Sequence, residues 1–465
     1  MSQLVLDNLV LELRNTKNPF LSRIFGFQQR FLESDPSLQL DILRRSERIV
    51  YGADGIEAYE RSQHPEVERL ARRSLAQYLC QQEELDSTWI KIAWWLGMMV
   101  SIPPLIVYLT FHTLLNRRKR DIPEARDAEI IIFLKFERLA AMLCGVFPGK
   151  KLYVHTKNTA YLGASEWSYF FRAVSACPSI LLRPKLVVNL LRWLSHYGYI
   201  VHHYSPKAVA FCFELVASSS LITGYLRERG ARHLNVTHGE RVFCAHGAFC
   251  EFDEDYVWGQ HFAEIGARLK ERATFRIHGG EAHTELFRKY RRANQPRPKR
   301  LLITHNPFLS SDGPDFQVVL KMLRLLDSSW EIAVRRHPAW DISFAKYSEA
   351  LRANGIIFKD EPPTDISLKE ALAQSRIVVG GSSTALVEAA IAGCKVIYLA
   401  GVAHPSTVLD RHQGSENILY ATSETDRDEL SRFLAEPANL SAEEDRLINF
   451  LAQVAPSLEG EKYGI

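Results

Sequence analysis

Three short stretches combine residue types that could do chemistry. The first is VVGGSSTALVEAAIAGCKVIYLAG (378–401), where an apolar strand ends in Gly380-Gly381 and Ser382, Ser383 and Thr384 open a helix. The N–H groups at a helix start, with three hydroxyls beside them, suit a phosphate or diphosphate. Glycines let a ligand approach the backbone closely. Glu388 follows on the first turns of that helix, where a carboxylate could take a ribose or sugar hydroxyl. An ordinary strand-to-helix turn with a Ser N-cap has the same appearance. The second stretch, AVRRHPAW (333–340), ends a strand with Arg335, Arg336 and His337, cationic groups able to stabilise a leaving phosphate. The third, VTHGERVFCAHGAFCEFDEDYVWG (236–259), offers His238 at a strand end as a general base for an acceptor hydroxyl. Asp253 and Asp255 are alternative bases, and together they spell a D-x-D of the kind that elsewhere holds a divalent metal. The reading adopted is metal-independent: Cys244, His246 and Cys250 lack the second paired half of a zinc site and read as small core residues. Arg335, Arg336, His337, Gly381, Ser382, Ser383, Thr384 and Glu388 form the expected donor-binding set, with His238, Asp253, Asp255 and His337 as catalytic candidates.

These residues need elements to hold them. From about 127 short apolar strands alternate with amphipathic helices, the pattern of βαβ units in a parallel sheet. Strands are predicted at 128–136, 151–156, 199–204, 208–214, 233–238 and 256–259. RRANQPRPKR (291–300) is basic and proline-containing and reads as a linker. Strands then recur at 300–305, 330–337, 355–360, 376–381 and 395–400, with helices between them, and SAEEDRLINFLAQV makes one further helix. The expected organisation is a helical region over 1–88, a membrane-associated hairpin or span over 89–120, Rossmann-like domains over 121–292 and 293–435, and a C-terminal helix over 436–465. Two such domains facing a cleft would place a ligand at the carboxyl ends of their strands.

One segment departs from this pattern. Ile92–Leu115 has 24 residues without Asp, Glu, Lys or Arg; it begins among Trp89, Trp94 and Trp95 and is followed by Arg117-Arg118-Lys119-Arg120. About 20 apolar residues suffice to cross a bilayer as helix, and the aromatic and basic flanks suit its interface. Pro103-Pro104 at the centre predicts a broken helix, hence a hairpin entering and leaving on one side. Residues 1–88, rich in charged helix, are expected to pack beside it.

Composition narrows the class. With 465 residues, 57 Lys+Arg against 54 Asp+Glu and 46% apolar residues, the chain is an ordinary folded one of two or three domains. A net charge of +3 gives no basic excess for nucleic acid, and seven scattered Cys fit a reducing compartment. No G-x-S-x-G, Walker A or post-strand G-x-G-x-x-G is present, so hydrolase, kinase and dehydrogenase readings lose support.

A His-Gly strand end, an R-x-H-P strand end and a G-S-S/T-x-x-x-x-E helix start together resemble bacterial GT-B glycosyltransferases of surface polysaccharides. The capsule polysaccharide Kdo-transferase-like group is nearest, with CDP-glycerol glycerophosphotransferases and bacterial sialyltransferases related through the HP and Ser motifs. The resemblance covers about residues 230–400. It implies that His337, Ser382 and Ser383 hold the donor's phosphate, and that His238 or the Asp253–Asp255 group is the base. Asp255 precedes Tyr256 here, where the sialyltransferase acid motif ends in Gly. The implied protein is a GT-B glycosyltransferase at the cytoplasmic face of the cell membrane. It would transfer a sugar from a CMP- or CDP-linked or other nucleotide-activated donor to a lipid-linked or polysaccharide acceptor, with no cofactor beyond that donor. A nucleotide-sugar epimerase of the same architecture and a non-catalytic membrane assembly protein are the alternatives.

Overall fold

The computed structural model describes residues 36–436, apart from 83–87, 118–124, 126–127, 134–145, 156–158, 213–215, 279–296, 337–340 and 401–415 and the turn positions 148, 238, 240, 242, 306–308, 310, 312, 382 and 400. The described residues fall into two units. The first runs to residue 278; the second holds the rest together with Gly239–Phe243.

In the first unit β1 (Ile130–Phe133), β2 (Leu152–His155), β3 (Ala208–Phe211), β4 (Arg232–Val236), β5 (Glu251–Val257) and β6 (Arg272–Ile277) form one sheet in the order β2-β1-β3-β4-β5-β6. Every pairing is parallel. Unbroken apolar runs such as IIIF make strands here because helices cover both faces of a parallel sheet, and β1 is buried throughout. The helices are α1 (Pro36–Tyr51), α2 (Gly55–Arg61), α3 (Glu66–Gln82), α4 (Thr88–Leu115), α5 (Ala164–Ala176), α6 (Pro184–Tyr204), α7 (Ser219–Glu228) and α8 (Gln260–Arg268). The segment 199–204, predicted as a strand, is the last turn and a half of α6. Gly198 suggested a break, but it is a point of close approach: a Cβ there would stand 2.5 Å from the Tyr161 carbonyl oxygen.

Residues 36–82 are built into this domain. Gln77 and Gln81 of α3 each donate to the His246 carbonyl at 3.2 Å, and Arg73 Nε donates to the Phe249 carbonyl at 3.2 Å. Arg69 and Arg73 reach the buried Glu251 carboxylate of β5. At the centre of the domain, His233 is fully buried between Thr223 and Tyr197. Thr223 Oγ1 lies 2.7 Å from His233 Nδ1 and donates its own proton to the Glu251 carbonyl. Nδ1 therefore carries a hydrogen, and Nε2 accepts from the Tyr197 hydroxyl at 3.0 Å. Burial, aided by the Arg227 charge, pushes the His233 pKa from 6.5 down to about 3, and burial does the same to His246. The unfolded chain thus binds protons that the folded chain refuses, and stability is lost as pH falls below 6.5. Each histidine is expected to remove up to about 1.4 kcal/mol per pH unit in that window. Urea unfolding at pH 7 and pH 5 checks this; equal stability at both would show the two imidazoles charged or exposed.

The apolar segment is a single helix. α4 runs unbroken through Pro103 and Pro104, not as the predicted hairpin. Two prolines delete only two N–H donors, and Ser101 Oγ donates to the Met98 carbonyl at 2.7 Å just before them. Tertiary support supplies the rest, because α4 lies along α6. Trp95–Leu115 is long and apolar enough to cross a membrane, yet only 6% of that stretch is buried. It is not a core helix.

In the second unit β7 (Arg300–Thr304), β8 (Glu331–Arg335), β9 (Lys359–Glu361), β10 (Ile377–Gly380), β11 (Lys395–Leu399) and β12 (Ile418–Ala421) lie in the order β12-β11-β10-β7-β8-β9, all parallel. Numbered within the domain from its far edge, this is 3-2-1-4-5-6, the doubly wound order in which the sequence of strands reverses between β7 and β10 while every strand stays parallel. The connecting helices are α9 (Pro314–Leu323), α10 (Asp341–Ala353), α11 (Leu368–Gln374), α12 (Thr384–Ile391) and α13 (Arg427–Ala435). β6, β12 and α13 were not anticipated, and the predicted helix over 441–454 lies outside the described residues. Arg297, read as linker, clasps the domain by donating to the carbonyls of Leu372 at 2.7 Å and Ser375 at 2.8 Å. The chain is thus an α/β protein of two Rossmann-like domains, the pair expected of the GT-B class.

Candidate functional site

The reversal point of the second sheet gathers most of the predicted donor-binding residues that the structure describes. β7 ends in Thr304, β10 ends in Gly380, and these neighbours touch: a Cβ on Gly380 would lie 2.3 Å from Thr304 Oγ1 and 3.2 Å from the Thr304 carbonyl oxygen. The glycine is needed for this close approach. The chain then turns through Gly381 into α12, whose N-cap is Ser383: its Oγ accepts from the Ala385 N–H at 3.3 Å. The capping role thus belongs to Ser383, which is compatible with anion binding at the amides around it. Gly239, from the loop after β4, reaches this turn, and a Cβ there would stand 2.7 Å from Thr384 Oγ1.

Arg335 ends β8 on the other side of β7. Its side chain is buried, yet among the described residues it donates one hydrogen bond, from Nη1 to the Ile366 carbonyl at 2.8 Å. Burial lowers its pKa while the carboxylates of Glu361 and Glu388 oppose that shift, so Glu388, buried on α12, lies within its field. The guanidinium keeps its charge, since even a lowered Arg pKa stays far above neutrality. A buried cation with an uncommitted fork, beside a glycine turn and a helix start, is arranged to take the oxygens of a phosphate or diphosphate. Sequence reasoning missed two contributors. His305, next after β7, is buried, donates its N–H to the Arg335 carbonyl at 2.9 Å and packs on Tyr347. Thr304 fixes the spacing to Gly380. The signal was present, since RLLITH reads as a strand running into a histidine at the sheet's carboxyl edge.

Other expected residues are placed elsewhere. Arg336 is placed apart from Arg335: its Nε donates to Asp360 at 2.9 Å and its guanidinium sits 4.6 Å over the Phe344 ring. Asp253 is a poor base, held near the amino end of β5 by Arg227 Nε at 2.7 Å and the His233 N–H at 2.6 Å. Asp255 is fully buried in mid-strand and accepts from Asn235 Nδ2 at 2.8 Å. Neither stands at a carboxyl strand end, where a base would meet substrate. His238, His337 and Ser382 lie outside the described residues. Cys244 and Cys250 are buried, with Cys250 Sγ donating to the Gly247 carbonyl at 3.1 Å. Among the described residues no group of three or more His, Cys, Asp or Glu is placed to hold a metal ion.

No family model matches the chain, and no curated protein does. Solved structures of similar architecture include the UDP-N-acetylglucosamine 2-epimerase of Rickettsia bellii, at 11% identity and TM-score 0.45 over 70% of this chain and 93% of that one. The Neisseria meningitidis epimerase bound to UDP-GlcNAc gives 11% and 0.44 over 70% and 97%. The kitacinnamycin glycotransferase gives 12% and 0.36 over 70% and 95%. A likeness this loose carries no function.

Proposed function

We propose that the chain is a membrane-associated glycosyltransferase that takes a nucleotide-activated sugar at the β7–β10 reversal point. The observation that carries this is the Arg335 fork, buried and largely uncommitted beside the Gly380–Ser383 turn. The donor's diphosphate, or its single phosphate in a CMP-linked sugar, would lie on the amides at the start of α12 and against Arg335. His337 and Ser382 join this set by sequence. Glu388 would take a ribose or sugar hydroxyl. His238, at the predicted strand end of the first domain, is the candidate base by sequence. It would accept the proton of an acceptor hydroxyl while that oxygen bonds to the anomeric carbon. The bond to the leaving phosphate breaks with its electron pair, and Arg335 and the helix amides neutralise the new charge. The acceptor would be a lipid-linked or polysaccharide glycan of the cell surface, met at the cytoplasmic face of the membrane.

The epimerases above prompt a second reading of the same site, in which the sugar is converted while still attached to its nucleotide. The exposed apolar α4 favours transfer, since a soluble nucleotide sugar needs no membrane. The test is incubation of the full chain with CMP-, CDP- and UDP-activated sugars, with and without a lipid-linked acceptor. Nucleotide release that requires the acceptor is expected. Conversion of the sugar without acceptor or release would replace transfer by epimerisation. Neither binding nor turnover of any donor would end the enzyme reading.

A further inference from the structure

α4 and α6 lie side by side and are tied at both ends. Trp95 Nε1 donates to the Leu182 carbonyl at 3.1 Å, just before α6 begins. At the far end His203 Nε2 lies 3.1 Å from the Asn116 carbonyl and His202 Nε2 lies 3.3 Å from that of Arg117. Thr113 Oγ1 also accepts the Leu162 N–H at 2.7 Å, and Asn116 Nδ2 donates to the Ala160 carbonyl at 3.0 Å. The two helices therefore run in the same direction for about 32 Å, the length of 21 residues of helix. α6 is a structural helix of the first domain, with Leu186, Leu190, Leu194 and Tyr197 fully buried. A helix so fastened could cross a bilayer only by drawing α6, and the domain with it, into hydrocarbon.

The outward side of this pair is apolar well beyond α4. Val100 is 75% exposed and Val107 70%, and beside the start of α6 Leu182 is 65% exposed. In sequence, the charge carried by these two stretches is one-sided. Thr88–Arg120 holds Lys91 and Arg117-Arg118-Lys119-Arg120, Cys177–Tyr204 holds Arg183, Lys185 and Arg192, and neither stretch contains an Asp or Glu. In a chain with almost equal numbers of cations and anions, an acid-free, cation-flanked apolar face matches an anionic lipid surface.

We infer that α4 together with Leu181-Leu182 forms an in-plane docking face that enters one leaflet of an anionic bilayer without crossing it. This deepens the membrane part of the reading above and does not depend on the transfer chemistry. The full chain is expected to float with vesicles of phosphatidylcholine and phosphatidylglycerol, and to bind pure phosphatidylcholine vesicles at least tenfold more weakly. Val107→Asp and Leu182→Asp, at exposed positions where folding is not at stake, should each weaken binding about tenfold. A fluorescent amino acid at 100, 107 or 114 should report one shallow depth with lipid-borne quenchers. A probe at 107 lying deepest, near the midplane, would overturn the in-plane geometry in favour of a span. Full binding by Leu182→Asp would show that α4 acts alone. Failure to float, with or without a dimer by light scattering, would overturn the lipid assignment. All these readouts are of binding, so a chain that binds vesicles but turns over no nucleotide sugar fails only the enzymatic reading.

Discussion

Replacing Arg335 by alanine is expected to lower kcat/KM for the donor by at least about 100-fold, the scale of removing one preorganised donor to developing charge. The reason lies in how Arg335 is held. The strand end and the Ile366 carbonyl fix the guanidinium, and its surroundings are dry enough for burial to work against its charge. A leaving phosphate beside it would gain more than it could from a solvated cation. The cost to folding is small, since one lost hydrogen bond to Ile366 is worth about 1 kcal/mol. Glu361 keeps its partner in Arg300. Arg335→Lys should recover only part of the loss, because an ammonium keeps the charge but not the planar fork. Steady-state kinetics with the thermal midpoint of each variant check this. Wild-type turnover in a stably folded Arg335→Ala would remove this arginine from the site.

The largest effect on stability is expected from Glu251→Ala, about 3–5 kcal/mol, the usual cost of leaving buried cations unpaired. Glu251 opens β5 almost fully buried and gathers three arginines from two helices. Arg69 Nη2 reaches it at 2.8 Å, Arg227 Nη1 at 2.7 Å and Arg73 Nε at 3.6 Å. Without the carboxylate, Arg73 keeps Glu60 and its carbonyl acceptors but loses its second counter-charge. Burial alone would raise the Glu251 pKa, but the Arg69 hydrogen bonds and the charges of Arg73 and Arg227 outweigh it and bring it to about 2. A depressed carboxylate stabilises the fold above its unfolded pKa, and that contribution is lost as pH falls from about 4.5 towards 2. Urea unfolding of wild type and Glu251→Ala at pH 7 and pH 4 checks both statements. The gap between them should be largest at pH 7, and a variant as stable as wild type there would show the cluster to be ornamental.

The parallel sheets were legible because their strands announce themselves. IIIF, AVAF and IVVG are apolar at every position, which little else but a strand covered on both faces explains. The turn after β10 was legible because Gly-Gly-Ser-Ser-Thr between such a strand and a helix marks a strand end and a capped helix start. β5 was read short, as its last residues only, because Glu251, Asp253, Glu254 and Asp255 look like a surface loop or a metal motif. What makes them a strand is Arg69, Arg227 and Arg232, two of them on helices and one of them 182 residues away. The strand expected at 199–204 is instead the end of α6, and Gly198 just before it is demanded by the Tyr161 backbone packed against it.

The sequence by itself determined the class of the protein, two doubly wound domains, and placed a Gly-Gly-Ser-Ser-Thr turn after β10, since apolar periodicity and glycine spacing are local properties. Only the tertiary structure decided where the charged residues near that turn are placed. Adjacent arginines are alike in sequence, but Arg335 is buried and donates to the Ile366 carbonyl while Arg336 pairs with Asp360. It also tied Asp253 and Asp255 into the framework, because Arg227 and the His233 N–H that claim Asp253, and Asn235 that claims Asp255, come from another helix and another strand. And it made the apolar segment a surface helix in one piece, since Pro103-Pro104 would break an isolated helix while contact with α6 supports a continuous one.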